Sequence, residues 1–162
     1  MKPLLLCLAT VLLATSGGAE PPVIFLVRHA ERADAGGPAQ ADPSLTETGR
    51  ARAAALAKEL RDAGITAIYT SEFRRAQQTA APLAKSLGVK VEVIPARDSA
   101  ALLANLHTAS GNVLVVGHSN TVPEIIKALG VSSPLTIAEK DYDDLFLVVP
   151  GQPPRLIHLH YR

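Results

Sequence analysis

A single cysteine, Cys7, occurs in 162 residues, and it lies within an apolar run near the start of the chain. Everything beyond it is therefore without a disulfide, a thiolate nucleophile or a cysteine metal site. Too little apolar sequence precedes Cys7 for it to serve as a lipid-attachment point. An excess of charge is also missing, with 16 Lys and Arg against 15 Asp and Glu. The apolar run itself, Leu4 to Ala14, is too short to span a bilayer comfortably. The sequence contains no internal repeat and no low-complexity segment.

The start of the chain has a layout of its own. Met1-Lys2-Pro3 precedes the apolar run, and Ser16-Gly17-Gly18-Ala19 follows it. A charged start, a short apolar middle and small residues before a cut describe a secretory signal. Cleavage is expected after Ala19, leaving residues 20–162 as one domain that is secreted or periplasmic and has no stable membrane span. Removing residues 1–19 takes away Lys2 and no acid, so the mature chain carries 15 basic and 15 acidic residues. A neutral protein lacks the broad basic surface of a nucleic-acid binder. Any strong positive field must be local.

Hydrophobic residues make up 48% of the chain, enough for a covered sheet with a substantial core. Val23 to Val27 reads as a strand buried on both faces. The segment from Arg32 to Ser44, with Gly36-Gly37-Pro38 and Asp42-Pro43, reads as a long loop. A helix capped by Thr46 is expected to run to Leu60 and stop at Gly64. The spacing then predicts a strand at Ile65 to Tyr69, a helix from Phe73 to Leu87 capped by Thr70-Ser71 and stopped by Gly88, and a strand at Val89 to Ile94. A helix capped by Asp98 or Ser99 follows, then a strand at Val113 to Val116 and a helix from Thr121 to Leu129. Leu145 to Val149, a proline-rich turn and Arg155 to Tyr161 form a terminal hairpin. The fold class is α/β: a three-layer αβα sandwich with a mostly parallel sheet and a C-terminal edge hairpin.

Two of these apolar runs end alike. Arg28-His29 closes the first, and Val113-Leu114-Val115-Val116-Gly117 ends at His118. Side chains at the carboxyl ends of parallel strands converge on the crevice where open α/β sheets bind ligands. Arg74 and Arg75 stand in the first turn of the second predicted helix, where a cation is unfavourable beside the positive end of the dipole. A bound phosphate would account for them.

Four segments together, Arg28-His29-Ala30-Glu31, Leu45-Thr46-Glu47-Thr48-Gly49, Ser71 to Thr79 and Val116-Gly117-His118-Ser119, resemble the histidine phosphatase (phosphoglycerate mutase-like) superfamily, in the form of a short, compact member. Ala30 stands where the family usually has Gly. The resemblance implies that His29 is a nucleophile that becomes phosphorylated, and that Arg28, Arg75 and His118 hold the phosphoryl oxygens. It points to Arg75 rather than Arg74, because the family's second arginine immediately precedes an alanine. The residue types suit the chemistry, since an imidazole must be unprotonated to attack, and nearby guanidinium groups disfavour its cation. The same cations stabilise charge during phosphoryl transfer without a metal or cofactor.

The acid that would protonate the leaving group is the open position. Longer members of the family carry a glutamate in an insertion that this chain nearly lacks. Asp98, Glu31 and Glu72 are the candidates. Each has an alternative: Asp98 as a helix cap, Glu31 paired with an arginine, Glu72 beside a helix start. His158 and His160 share one face of a strand at a spacing that can bind zinc, but no third ligand is evident and the favoured reading is an exposed edge strand. His107 reads as ordinary surface. The implied activity is hydrolysis of a small phosphomonoester, with an envelope sugar phosphate as a candidate partner. The competing readings are a phosphomutase and a phosphate-binding module without turnover.

Overall fold

The computed structural model describes residues 21–33 and 42–162. The predicted signal segment and most of the Arg32 to Ser44 loop lie outside the described residues. No helix among those described is long and apolar enough to cross a membrane. The elements are β1 (Ile24–Arg28), α1 (Glu47–Leu60), β2 (Ile65–Thr70), α2 (Arg74–Leu87), β3 (Val91–Val93), α3 (Ser99–Thr108), β4 (Asn112–Gly117), α4 (Thr121–Ala128), β5 (Asp144–Val149) and β6 (Arg155–His160). They build one six-stranded sheet in the order β3-β2-β4-β1-β5-β6.

The four strands β3, β2, β4 and β1 pair in parallel. The terminal hairpin joins the β1 edge antiparallel through β5. Continuous apolar runs in β1 and β4 follow from their central position, because both faces are covered. Ile24, Leu26, Val113, Val115 and Phe146 pack on one side with α3 and α4. Phe25, Val27, Leu114 and Val116 pack on the other against Leu56, Ala80 and Leu83 of α1 and α2. This is the expected αβα sandwich.

Local rules place most boundaries. The hydroxyl of Thr46 caps α1 by accepting from the Gly49 amide at 3.0 Å, Asp98 caps α3 through the Ala101 amide, and Gly88 closes α2 with φ +67. Two expectations need correction. Helix α1 ends at Leu60, and Gly64 serves instead a turn that enters β2 with φ +66. Thr70-Ser71 does not cap α2. Its first amide, that of Arg74, donates to both carboxylate oxygens of Asp42 at 3.0 Å. The cap comes from Asp42, 32 positions earlier in the chain, and the Ser71 hydroxyl is free for the site described below.

The Leu45 to Gly49 segment clamps the chain just after β1. The Thr46 amide donates to the Glu31 carbonyl at 2.9 Å, Arg32 and Leu45 form an antiparallel bridge, and Arg52 grips the Glu31 carboxylate with a 2.7 Å contact. Gly49 must lie against this backbone, since a Cβ there would meet the Glu31 carbonyl oxygen at 2.1 Å. Gly49→Ala is therefore expected to destabilise the protein by about 1–3 kcal/mol or more, as overpacking does. Urea unfolding measures it; an unchanged midpoint would contradict this account of the clamp.

Candidate active site

Register builds the centre. β1 and β4 are parallel neighbours with Arg28 opposite Gly117, so the next residues, His29 and His118, leave the sheet at the same level. The His29 amide donates to the Gly117 carbonyl at 2.9 Å. The two ring centroids stand 5.3 Å apart, and both residues are buried. They open on a cleft of about 560 Å³ that Arg28, Arg32, Arg75 and Arg97 also line. Among the described residues no carboxylate lines it. A chain with almost no net charge thus gathers four guanidinium groups at one place, the local field that the composition required.

Arg28 and Arg75 are held in fixed poses by different means. Nη1 of Arg28 donates to the carbonyls of Ala138 at 2.9 Å and Glu139 at 2.7 Å, and its guanidinium lies 4.2 Å from the centre of the Tyr142 ring. Arg75 stacks 4.3 Å over Phe73 and stands 3.6 Å from Asp42. Aromatic faces hold cations without neutralising them. The Nε–H of each arginine is buried and meets no acceptor among the described residues. Orphan donors of this kind are rare and call for a specific explanation; an oxyanion in the cleft supplies one. Arg74 is exposed, and among the described residues it is its backbone amide that is engaged, at Asp42.

The rings are neutral bases. Nδ1 of His29 lies 2.8 Å from the Ala30 carbonyl, which can only accept, so Nδ1 carries the proton and Nε2 keeps its lone pair. Burial above all lowers the His29 pKa to about 3; His118 and the charges of Arg75 and Arg28 lower it further, against the Ala30 hydrogen bond. Burial, followed by Arg75, lowers that of His118 to about 4. Nε2 of His118 meets the Ser71 hydroxyl at 2.8 Å, and Phe73 packs edge-on at 5.2 Å.

Positioning groups that sequence reading missed complete the arrangement. Thr79, fully buried, accepts from the Ala30 amide and donates to the Arg75 carbonyl, tying the His29 turn to the helical turn that carries Arg75. Its spacing of four from Arg75 was a readable sign of such a back-bond. Gly117 allows α4 to approach, because a Cβ there would come within 2.9 Å of Thr121. Ala30 is accommodated without a positive φ. Tyr142, Phe73, Arg32 and Arg97 had no local signal, since only the tertiary fold brings them to the cleft.

The three carboxylates considered as proton donors are all engaged elsewhere. Glu31 is forked onto Arg52. Glu72 accepts the Ala96 amide at 2.8 Å, the main reason its pKa is lowered, which makes it a poor acid. Asp98 caps α3. None lines the cleft with the two histidines.

The family model for the histidine phosphatase superfamily (branch 1) matches residues 24–98. The probable phosphoglycerate mutase GpmB of Yersinia enterocolitica is 41% identical over 75 residues, covering 44% of this chain and 35% of that protein. The match thus spans about a third of the relative's length. Among solved structures, the mycobacterial glucosyl-3-phosphoglycerate phosphatase in complex with inorganic phosphate superposes with a TM-score of 0.67 at 18% identity, over 85% of this chain and 95% of that one. The protein histidine phosphatase SixA complexed with tungstate gives 0.66 at 22% identity, over 86% and 95%. At such identities the likeness establishes the fold.

The titration of the two rings is testable. An unfolded chain takes up these protons near pH 6.5, the native state only near 4 and 3. The stability they support is therefore complete above pH 6.5 and declines as pH falls toward 4. Nitrogen-15 NMR of the histidine rings should show positions 29 and 118 still neutral at pH 5.5, His29 with its proton on Nδ1. Titration of either ring near 6.5 would contradict the geometry.

Proposed function

This chain belongs to the histidine phosphatase superfamily, and from that premise we propose that it is an exported, metal-independent phosphatase that hydrolyses a small phosphomonoester through a phosphohistidine at His29. The observation that carries the reading is the bare Nε2 of His29 in a cleft lined by guanidinium groups. In the first step Nε2 attacks phosphorus, a P–N bond forms, and the P–O bond to the leaving group breaks with its electron pair going to oxygen. Arg28, Arg75 and His118 surround the phosphoryl oxygens and offset their charge, an electrostatic contribution of the largest kind available to such a site. In the second step water attacks phosphorus, the P–N bond breaks with its electron pair returning to Nε2, and the attacking water keeps one proton on the phosphate while its other balances the proton taken up by the departed alkoxide. Bound dianion offsets the arginine charges and raises the histidine pKa values, so His118 gains a proton more readily with substrate present.

None of the described carboxylates lines the cleft to protonate the leaving oxygen, so among substrates those with the more acidic leaving groups are expected to turn over fastest. Arg32 and Arg97, both exposed at the rim, suit a second negative group on a small molecule such as an envelope sugar phosphate. Export rests on the layout of residues 1–19, which are proposed to be removed, leaving 20–162 as the mature phosphatase. A mutase reading is favoured by the GpmB likeness; release of free phosphate rather than an isomerised phosphosugar separates the two. Tight phosphate binding with no phosphorylated His29 would favour a binding module.

Turnover of aryl phosphates of graded leaving-group acidity tests the proposal. Activity should rise steeply as the leaving group becomes more acidic, the mark of an unassisted departure. Arg75→Ala or Arg28→Ala should cost about 10²- to 10³-fold in kcat, and His29→Ala should abolish both turnover and a base-stable, acid-labile phosphoenzyme. Undiminished turnover in His29→Ala would end the proposal.

A further inference from the structure

We propose that Asp144, His158 and His160 form a binding site for a zinc-class divalent cation at the terminal hairpin, separate from the cleft. Sequence spacing alone offered two imidazoles and no third ligand. The antiparallel register of β5 and β6 supplies it, since Asp144 pairs directly with His160 and Phe146 with His158. Side chains two apart on a strand share a face, and diagonal cross-strand neighbours remain within reach. One carboxylate oxygen and two ring nitrogens accordingly lie within 4.8 Å of one another.

The donor set and its spacing suit zinc. Neutral imidazole with carboxylate is an ordinary ligand combination for this ion, at bond lengths of about 2.0–2.1 Å. Tetrahedral geometry then sets donor atoms roughly 3.3 Å apart. Nδ1 of His160 is 3.4 Å from Oδ1 of Asp144. Nε2 of His158 is 2.6 Å from the same oxygen, a hydrogen-bond distance that opens when the metal replaces the shared proton. The fourth position falls to water or to Asp143, whose Oδ1 is 3.6 Å from His160.

The ligands are also preorganised. Asp144 is only 6% exposed, and its buried charge is answered by these two imidazoles. The ring of His158 stacks on Phe146 at 4.4 Å, and Phe146 is fully buried. The outer side is open for entry, with His160 more than half exposed. An ion held here would fasten the end of the hairpin where the Tyr161 amide donates to the Asp143 carbonyl and the Tyr161 hydroxyl to the Tyr142 carbonyl. The preceding carbonyls, of Ala138 and Glu139, are those that grip Arg28. The cation's place is thus structural, bracing the segment that aims an arginine of the cleft.

The test reads metal binding and stability, so it is independent of whether the cleft turns over phosphate. Chelator-stripped full-length protein titrated with Zn²⁺ in a calorimeter should bind one equivalent, and its Tm should rise with Zn²⁺ but not with Mg²⁺. His160→Ala, at an exposed position, should keep the metal-free Tm and circular dichroism, weaken Zn²⁺ binding by more than about tenfold, and lose the Zn²⁺-dependent rise. His158→Ala should likewise weaken Zn²⁺ binding and lose the Zn²⁺-dependent rise, from a lower metal-free Tm because Asp144 and Phe146 lose their partner, whereas His29→Ala should bind Zn²⁺ as the parent does. Absence of saturable binding, unchanged affinity in a His158→Ala/His160→Ala double variant, or loss of the equivalent in His29→Ala would each overturn the proposal.

Discussion

The in-register parallel pairing of β1 with β4 is the constraint on which the rest of the cleft depends. With Arg28 opposite Gly117 and the His29 amide bonded to the Gly117 carbonyl, two residues nearly ninety positions apart in sequence are held within one phosphate diameter. A slip of one residue would turn one imidazole to the opposite face of the sheet. The apolar side chains that fill both faces of these strands resist that slip, because it would move every core residue of the strand to the wrong layer. Core packing and site geometry are therefore one requirement.

Around that pair, burial and charge act in the same direction. Desolvation and the guanidinium charges both oppose protonation of His29, so the fold holds a base unprotonated at pH values where a free imidazole would be charged. Holding four cations near two buried rings is costly by itself. The structure spreads that cost over aromatic faces, backbone carbonyls and Asp42, leaving positive charge directed at the cleft. Phe73 and Tyr142 are two of only six aromatic residues in the chain, and each props an arginine.

The C-terminal hairpin is more than an edge cover. β5 pairs with β1, and the stretch that leads into it supplies the carbonyls that hold Arg28. The same strand end carries Asp144, opposite His160 of β6. Charge at the cleft and charge at the hairpin are linked through a few residues of backbone, so the order of this segment bears on how Arg28 is presented.

The periodicity of apolar residues, with glycine and capping residues between, was enough to place ten elements and the αβα layering, because those signals act within a few residues along the chain. That His29, His118, Arg28 and Arg75 stand near one another was legible because each ends a strand or begins a helix, and it was the family resemblance, with its arginine immediately before an alanine, that pointed to Arg75 rather than Arg74. An arginine partner for Glu31 was legible, but not that it is Arg52; the engagement of Glu72 with the Ala96 amide and of the Arg74 amide with Asp42 was not, nor was the joining of Asp144 to His158 and His160. These depend on which strands become neighbours, in what register, and on how far a loop reaches. The sequence by itself determined the local elements and the kinds of groups at their ends, through propensity and hydrophobic pattern. Only the tertiary structure decided which of those groups meet, because distance in space between residues far apart in the chain is set by sheet order and core packing, and no local rule encodes either.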